Sequence, residues 1–318
     1  MSSPPPEDAL PSPYVSGGHP LRRLARVTLF PLLLAAGIAS TYLTLNVLEW
    51  NPGVVLNVVS SAFFVLIAAL EYALPNREDW RASDGQILHD LGHSWLGTGL
   101  GGLAGNLTIG FLAPLAAASL GRGSLWPSEL PFAGQLLIVY VVADLGRYWQ
   151  HRLHHMVPFL WRFHALHHSV ERMSVFKTSR SHFVERYLQQ VFMFGLLYFA
   201  GCPLEILVWY IIPNSVIGLL DHSNLDVNLG LFERIVMGPK GHRLHHSAAP
   251  EDMDTNFGSA IVLWDVVFRT FRDPTRVPQP AAVGIVDDPI PQDFWRQYFS
   301  PFLWGKLTAE AEQSSQGV

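Results

Sequence analysis

Cysteine is nearly absent from this chain of 318 residues, since Cys202 is the only one and it lies within an apolar segment. A single thiol excludes a disulfide within the chain, a cysteine-based zinc ribbon and an iron–sulfur cluster. Charge is also scarce, because only 15% of the residues are Asp, Glu, Lys or Arg and the net charge is −5. The sequence has no basic stripe, so nucleic acid is not an expected partner.

Hydrophobic residues take the place of the missing charge. They make up 49% of the chain, and the mean hydropathy is +0.22, which indicates a protein that resides in a bilayer. Helices long enough to cross roughly 30 Å of hydrocarbon are predicted in three apolar runs. These runs cover residues 27–50, 53–74 and 95–120.

Two further apolar segments lie next to the histidine-rich part of the chain. Residues 130–142 are short for a full span and lead directly into the first histidine cluster. Residues 187–220 are broken at 201–203 and again near Pro213, so we expect a helical hairpin that enters or crosses the membrane.

Arginines at the ends of the first two runs predict the orientation. Arg22, Arg23 and Arg26 precede the first run, and Arg77 and Arg81 follow the second. Because positively charged loops stay in the cytoplasm, the N-terminus and the loop after the second run are predicted to be cytoplasmic. The same alternation places the histidine clusters on the cytoplasmic side of a bacterial inner membrane or of the endoplasmic reticulum, with the bacterial membrane preferred.

The two ends of the chain differ from its centre. Residues 1–20 are rich in proline and small polar residues and are predicted to be a disordered tail, and residues 306–318 a flexible one. A signal peptide ending near Ala39 is the alternative for the first apolar run, but that run is longer than the usual signal segment. Between the tails we expect one membrane-embedded domain, 21–305, with a catalytic core at about 130–272.

Histidine is the residue that the chain has in excess, with 14 in total. The first cluster contains His151 and His155, which share one helical stripe with Asp144 and Tyr148 through steps of four, three and four residues. These two histidines can bind one metal ion, and Asp144 or Tyr148 can orient an imidazole or a bound oxygen species from one shell back. His154 is turned by about 100° from that stripe and is not expected to be a ligand.

The second cluster has the spacing H-x-x-H-H. Its first and last histidines, His164 and His168, share a helix face, while His167 is turned by about 100° and can face a second ion. The third cluster repeats this spacing, so one box can serve two metals. Its members are His242, His245 and His246.

Isolated histidines add to the candidates. His182 and His222 would ordinarily be hydrogen-bonded structural residues, but the large ligand demand nearby makes both candidate ligands. His89 and His93 are interpreted as a polar helix end. The total exceeds what one structural or catalytic zinc needs and is enough for two ions with open positions.

The type of ligand limits the chemistry without naming the metal. No carboxylate occupies the Glu-x-x-His positions of soluble di-iron bundles, so the ligands would be almost wholly imidazole. Imidazole suits iron, copper and zinc alike. The membrane setting favours a redox metal, because unactivated C–H bonds of lipids call for oxygen chemistry.

In combination, the three boxes resemble the fatty acid hydroxylase / sterol desaturase superfamily of integral-membrane di-iron oxygenases. The resemblance covers roughly residues 55–272 and rests on H-x-x-x-H, H-x-x-H-H and H-x-x-H-H in this order, with an apolar hairpin between the second and third. It implies an all-α membrane bundle of about four to six membrane helices with a cytosolic, histidine-rich cap. Ten ligands are implied: His151, His155, His164, His167, His168, His182, His222, His242, His245 and His246.

The resemblance also implies cofactors and partners. Two iron ions would activate dioxygen as co-substrate and hydroxylate or desaturate a fatty acyl chain, a sterol or a polar lipid. Gly97, Gly101 and Gly105 recur every four residues in an apolar run, which indicates close helix packing and not a nucleotide loop. The electrons would therefore come from a separate ferredoxin-like, cytochrome-b5-like or reductase partner.

Two other functions compete with this one. A membrane zinc hydrolase is disfavoured because no His-Glu-x-x-His motif is present and the histidines are in excess. A metal transporter or sensor would carry polar residues within its spans, whereas here the histidines cluster after them.

Overall fold

The computed structural model describes residues 14–15, 18–120 and 124–316. Within these residues the fold is all-α, as predicted, and β-structure is limited to four isolated bridges. The helices are α1 (Pro20–Tyr42), α2 (Pro52–Ala73), α3 (Ile87–His93), α4 (Gly102–Ser119), α5 (Phe132–Met156), α6 (Pro158–His168), α7 (Phe183–Ala200), α8 (Leu204–His222), α9 (Pro239–His245), α10 (Pro250–Met253), α11 (Leu263–Val267) and α12 (Phe294–Gln316).

Four segments of the described chain are long and apolar enough to cross a membrane: Pro20–Val47, Pro52–Ala73, Ile87–Ser119 and Leu204–His222. The first joins α1 to a short π-helix, and the third joins α3 and α4 through another. The start of α2 is set by Asn51, whose side-chain oxygen accepts a hydrogen bond from the Gly53 amide at 2.9 Å. Because of its four long apolar segments, the chain is an integral membrane protein.

The predicted hairpin forms, but with one break instead of two. Helix α7 ends at Gly201, whose φ of +82° is a conformation that favours glycine, and α8 begins after Pro203. The prediction of a second break near Pro213 is wrong, since α8 continues through this residue to His222. A proline removes one intrahelical hydrogen bond, and packing against neighbouring helices in a membrane bundle compensates for that loss.

A seam of small residues joins α7 to the segment formed by α3, the π-helix and α4. A Cβ atom at Gly101 would lie 2.6 Å from the carbonyl oxygen of Phe183, and one at Gly105 would lie 2.6 Å from Cβ of Gln190. Only glycine permits this approach, and Gly97 meets the backbone of Ser181, two residues before α7, in the same way. The interpretation of these glycines as a packing seam is confirmed.

Helices α5, α6 and α9 carry the three histidine clusters, and α8 ends at His222. The apolar run at 130–142 and the first cluster form one continuous helix, α5, and Pro158 opens α6 for the second. Helix α12 packs against α6 and continues to Gln316, so it includes residues 306–316 of the predicted C-terminal tail. Most of the expected N-terminal tail, residues 1–13 and 16–17, lies outside the described residues.

Candidate metal centre

Nine histidines gather in two adjoining groups, each holding its candidate ligand atoms within 4.8 Å of one another. We call them the five-histidine group and the four-histidine group. The five-histidine group consists of His151, His155, His164, His168 and His245. The four-histidine group consists of His167, His222, His242 and His246.

Helical spacing divides the boxes between the groups. On α6, His164 and His168 belong to the five-histidine group, while His167 belongs to the other. The third box is divided in the opposite sense, because its first and last members are in the four-histidine group and its middle one, His245, is in the five-histidine group. Each H-x-x-H-H box thus bridges the two groups.

In the five-histidine group the imidazoles face one another through acceptor atoms. Nε2 of His164 lies 3.1 Å from Nε2 of His151 and 3.1 Å from Nε2 of His168. Nδ1 of His151 donates to the carbonyl of Phe257 at 2.9 Å, and Nδ1 of His164 donates to the carboxylate of Glu185 at 3.0 Å. In the neutral rings the Nε2 atoms of His151 and His164 are then both unprotonated, so no hydrogen bond can join them.

The four-histidine group repeats this arrangement. Nε2 of His222 lies 3.0 Å from Nε2 of His167 and 3.0 Å from Nε2 of His242. Nδ1 of His167 donates to the carbonyl of Arg180 at 3.2 Å, and Nδ1 of His222 donates to the carbonyl of Gly218 at 3.1 Å. Two lone pairs therefore point at each other here as well, a contact that a cation between them would stabilise.

Burial keeps the imidazoles in the form that binds metal. It is the main cause that lowers the pKa values of His164, His167, His168, His245 and His246 well below 6.5, and repulsion between neighbouring histidines lowers them further. Metal binding requires neutral imidazole. Proton competition for these ligands is therefore weak at neutral pH.

Both groups fit a metal ion. Nitrogen ligands about 2.1 Å from an ion and at about right angles lie about 3 Å apart, as the Nε2 atoms do here. The Nε2 atoms of His155 and His245 are buried and have no partner in the described protein, as expected of ligand atoms. Nine neutral nitrogens suit iron, copper or zinc.

Two of the histidines in these segments lie outside both groups. His182 was a predicted ligand, but its Nδ1 accepts the amide of Val184 at 3.1 Å and caps α7, while its ring stacks on Tyr298 at 4.9 Å. His154 donates from Nδ1 to the carbonyl of Gln150 at 2.7 Å. The helical stripe that excludes His154 as a ligand agrees with this placement.

The pair on α3 is also separate from the metal centre. His89 lies 2.9 Å from the side-chain oxygen of Gln86, and His93 lies 3.0 Å from that of Gln297. The ring of His93 packs on Phe294 at 4.6 Å. The ring of His89 lies 5.8 Å from that of the same Phe294, so both histidines join α3 to the C-terminal helix.

Asp144 and Tyr148 do not orient imidazoles of the two groups by hydrogen bonds in the described structure. Asp144 accepts the hydroxyl of Tyr210 at 2.6 Å and the amide of Ile261 at 3.0 Å, and the Tyr148 hydroxyl meets the hydroxyl of Thr270 at 3.0 Å. Asp144, Tyr148 and His151 all lie on α5, as the predicted stripe requires. At a rise of about 1.5 Å per residue, however, Asp144 lies about 10 Å along the helix from His151. Both residues instead join α5 to other segments.

The carboxylates that do orient ligands were missed from the sequence. Glu185 accepts from His164, and Asp254 accepts from Nδ1 of His155 at 3.0 Å. Glu185 had a weak signal, because it is an acid in the first turn of a helix just after a histidine-rich segment. Asp254 has none, since 99 residues separate it from its partner.

A cavity of about 580 Å³ opens beside the four-histidine group, between α2, α5, α7 and α8. His167, His222 and His242 line it, whereas members of the five-histidine group do not. A substrate in this cavity would therefore contact the four-histidine group and not the five-histidine group.

Comparison with known proteins agrees with this site. The family model described as fatty acid hydroxylase matches residues 136–270, a range that includes all nine histidines of the two groups. The ornithine lipid hydroxylase of Rhizobium tropici is 34% identical over 86% of this chain and 83% of its own length. No solved structure matches.

More distant relatives share the histidine-rich part of the chain. The alkylglycerol monooxygenase of Xenopus tropicalis is 32% identical over 42% of this chain and 30% of its own length. The cholesterol 25-hydroxylase of Rattus norvegicus is 30% identical over 51% of this chain and 56% of its own length. All of these relatives are named as lipid hydroxylases or monooxygenases, and the chain belongs to the fatty acid hydroxylase family, membrane-bound non-haem iron oxygenases that act on lipids.

Proposed function

We propose that this protein hydroxylates a polar membrane lipid of the ornithine lipid type, using two iron ions and dioxygen. The observation that carries the proposal is the pair of histidine groups with a cavity against one of them. A relative that is 34% identical over 86% of this chain is named as an ornithine lipid hydroxylase, which supports this lipid class over the alkylglycerol and cholesterol named for relatives that match shorter parts of the chain.

The five-histidine and four-histidine groups would each hold one iron ion. When bound, the irons supply the reduction of dioxygen that makes an unactivated C–H bond reactive. His182 is left out of the proposed ligand set, because its Nδ1 is occupied in capping α7 and its ring is stacked on Tyr298.

The protein's own residues prepare the site in two ways. Glu185 and the backbone carbonyls of Arg180, Gly218 and Phe257 fix the rings of their histidines through Nδ1, which directs each Nε2 toward the metal. The surrounding helices bury these ligands, so water has little access to them.

The electron balance requires a partner. Hydroxylation of R–H with dioxygen gives R–OH and water and consumes two electrons and two protons from outside the substrate. The described residues hold no cofactor-binding module besides the metal centre, so we propose an external ferredoxin-like, cytochrome-b5-like or reductase donor. We also propose that the metal centre faces the cytoplasm, as the flanking arginines indicate.

Labelled dioxygen tests this function directly. The purified protein, loaded with iron and supplied with a reductant, is incubated with ornithine lipid, alkylglycerol and cholesterol under isotope-labelled dioxygen. We expect the ornithine lipid to gain one labelled oxygen atom by mass spectrometry, and a His167→Ala variant to give no product. Loss of two hydrogens would indicate a desaturase, and label in another lipid would replace the proposed substrate.

Metal analysis of the same preparation separates the competing functions. Two irons per chain support the oxygenase. One zinc with hydrolytic activity on the same lipids would support a hydrolase, and freely exchangeable ions of several kinds would support a transporter or sensor.

A further inference from the structure

The cavity beside the four-histidine group is more polar than a tunnel for a hydrocarbon chain would be. Two arginines line it, Arg147 on α5 and Arg186 on α7. Arg147 lies one helical turn before His151, so its guanidinium adds positive charge next to the proposed metal ions. The feature that needs an explanation is this pair of cations.

Neither arginine has a carboxylate partner among the described residues. Arg147 donates from Nη1 to the side-chain oxygen of Gln150. Arg186 donates from Nε to the hydroxyl of Ser181 at 2.6 Å and from Nη1 to the side-chain oxygen of Gln189 at 2.7 Å. Its Nη2 donates to a backbone carbonyl at 2.9 Å. A guanidinium has five N–H donors, so both groups keep donors for a ligand.

The other charged groups of the cavity neutralise the pair only in part, because the Glu185 carboxylate attracts both guanidinium groups without forming an ion pair with either. Glu185 and Asp221 line the same cavity, yet neither forms an ion pair with Arg147 or Arg186 in the described structure. One oxygen of Glu185 already accepts from His164. Among the charged neighbours of Arg147, Arg186 exerts the largest electrostatic effect, so the two like charges are close enough to repel. Burying two cations together is unfavourable unless an anion joins them.

The lining of the cavity combines polar and apolar side chains. The two arginines lie in it together with the histidines His167 and His242, and the membrane helix α2 contributes Phe64 and Val65, of which Val65 is 66% exposed on the surface of the protein. A lipid that entered beside α2 with its headgroup first would leave its acyl chains against this helix.

On the basis of the proposed function, we infer that Arg147 and Arg186 form an anion subsite that binds the carboxylate or phosphate of a lipid headgroup. Arginine is suited to this role because its planar fork donates two parallel hydrogen bonds to such an anion. The headgroup end of the lipid, and not the acyl tail, would then lie beside the four-histidine group.

Lipid binding to the full-length protein tests the subsite. Three lipid probes differ in headgroup: N-palmitoylornithine has a free carboxylate beside its ammonium group, dioleoyl phosphatidic acid has a phosphate, and dioleoylglycerol, which has the same acyl chains as the phosphatidic acid, has no charge. Binding to the iron-loaded protein in detergent is measured by native mass spectrometry. We compare the natural chain with Arg147→Gln, with Arg147→Lys and with the control Arg172→Gln, whose side chain donates to a backbone carbonyl away from the cavity.

The expected result is preferential binding of one or both anionic probes, weakened about tenfold or more by Arg147→Gln and partly restored by Arg147→Lys, since a charged hydrogen bond is lost and then a charge regained. Dioleoylglycerol binding and the control should not change. Preference for the carboxylate or for the phosphate identifies the source of the anion. Equal binding of all three probes, or an equal loss of all three in Arg147→Gln, would overturn the subsite.

Iron content, measured on the same samples, keeps this inference separate from the proposed function. An iron-free protein that still prefers the anionic probes would contradict the di-iron assignment but preserve the anion subsite. A protein with two irons that binds the three probes equally would preserve the di-iron assignment but contradict the anion subsite.

Discussion

The two histidine groups are built from the same boxes but differ in support and in access. In the five-histidine group, carboxylates accept hydrogen bonds from two of the candidate ligands, His155 and His164, and the group does not line the cavity. In the four-histidine group, backbone carbonyls accept hydrogen bonds from His167 and His222, and three of the four members line the cavity. Carboxylates make the imidazoles more basic, and a smaller ligand set leaves a position open. We therefore expect the five-histidine group to retain its metal more firmly and the four-histidine group to meet the substrate.

The largest expected effect follows removal of one ligand from each group. His222→Ala leaves three histidines in its group, whereas His245→Ala leaves four in the other. We expect His222→Ala to fall from two metal ions per chain toward one and to lose activity to background, because the ion beside the cavity is lost. His245→Ala should retain more metal. Metal analysis and product formation measure both, and equal metal loss in the two variants would remove the distinction between the groups.

Chelation tests the same difference in the unmodified protein. Treatment with a chelator over time should remove the metal in two phases, because the two ions differ in ligand number and support. Activity should disappear with the first phase, since the four-histidine group is the one in contact with the cavity. Metal and activity are followed in the same samples. A single phase, or activity that persists until the second phase, would contradict the assignment of the labile ion to the cavity side.

The supporting carboxylates should differ in importance. Glu185 is buried, with 2% of its side chain exposed, whereas Asp254 is 66% exposed. Glu185→Gln is expected to lower metal affinity or activity by about 10- to 100-fold, the usual cost of losing an outer-shell partner. Asp254→Asn should cost less, because water screens and can replace an exposed carboxylate. Metal titrations of the two variants, in both of which an amide replaces a carboxylate, measure the loss of metal affinity. A larger loss in Asp254→Asn than in Glu185→Gln would contradict the prediction.

The smallest effect concerns His182, which belongs to neither group. Burial lowers the pKa of His182 to about 4, so it is neutral at pH 7 and acts as the cap of α7. His182→Asn should preserve the cap and both metal ions, while His182→Ala should cost about 1 kcal/mol of stability with the metals still bound. Thermal unfolding and metal analysis distinguish the two effects. Loss of one metal ion in His182→Asn would return this residue to the ligand set.

Histidine positions were the most predictable part of the site because helical periodicity acts within a few residues. The spacing alone separates His154 from His151 and divides each H-x-x-H-H box between two faces, which agrees with the two histidine groups in the structure. Long-range partners were not predictable in this way. The carboxylate of Asp254 reaches His155 across 99 residues, and the choice of His182 as a cap depends on where α7 begins.

The fold was predictable to a similar degree. Apolar runs located the membrane helices and Gly201 located the turn of the hairpin, since both are local properties of the chain. Continuation of α8 through Pro213 depends on packing by neighbouring helices, which one sequence does not display.

The glycine seam between α7 and the segment of α3, the π-helix and α4 links the bilayer to the chemistry of the site. Gly97 packs against Ser181 just before α7, and Gly101 packs against Phe183 at its start. Arg186 contacts both glycines, and Glu185 precedes it in the chain. Because the glycines add no side chain of their own between the two segments, we expect α7 to shift its depth only together with its membrane-embedded neighbour. A change of bilayer thickness that tilts this membrane helix is therefore expected to move Glu185, which orients a histidine, and Arg186 at the cavity.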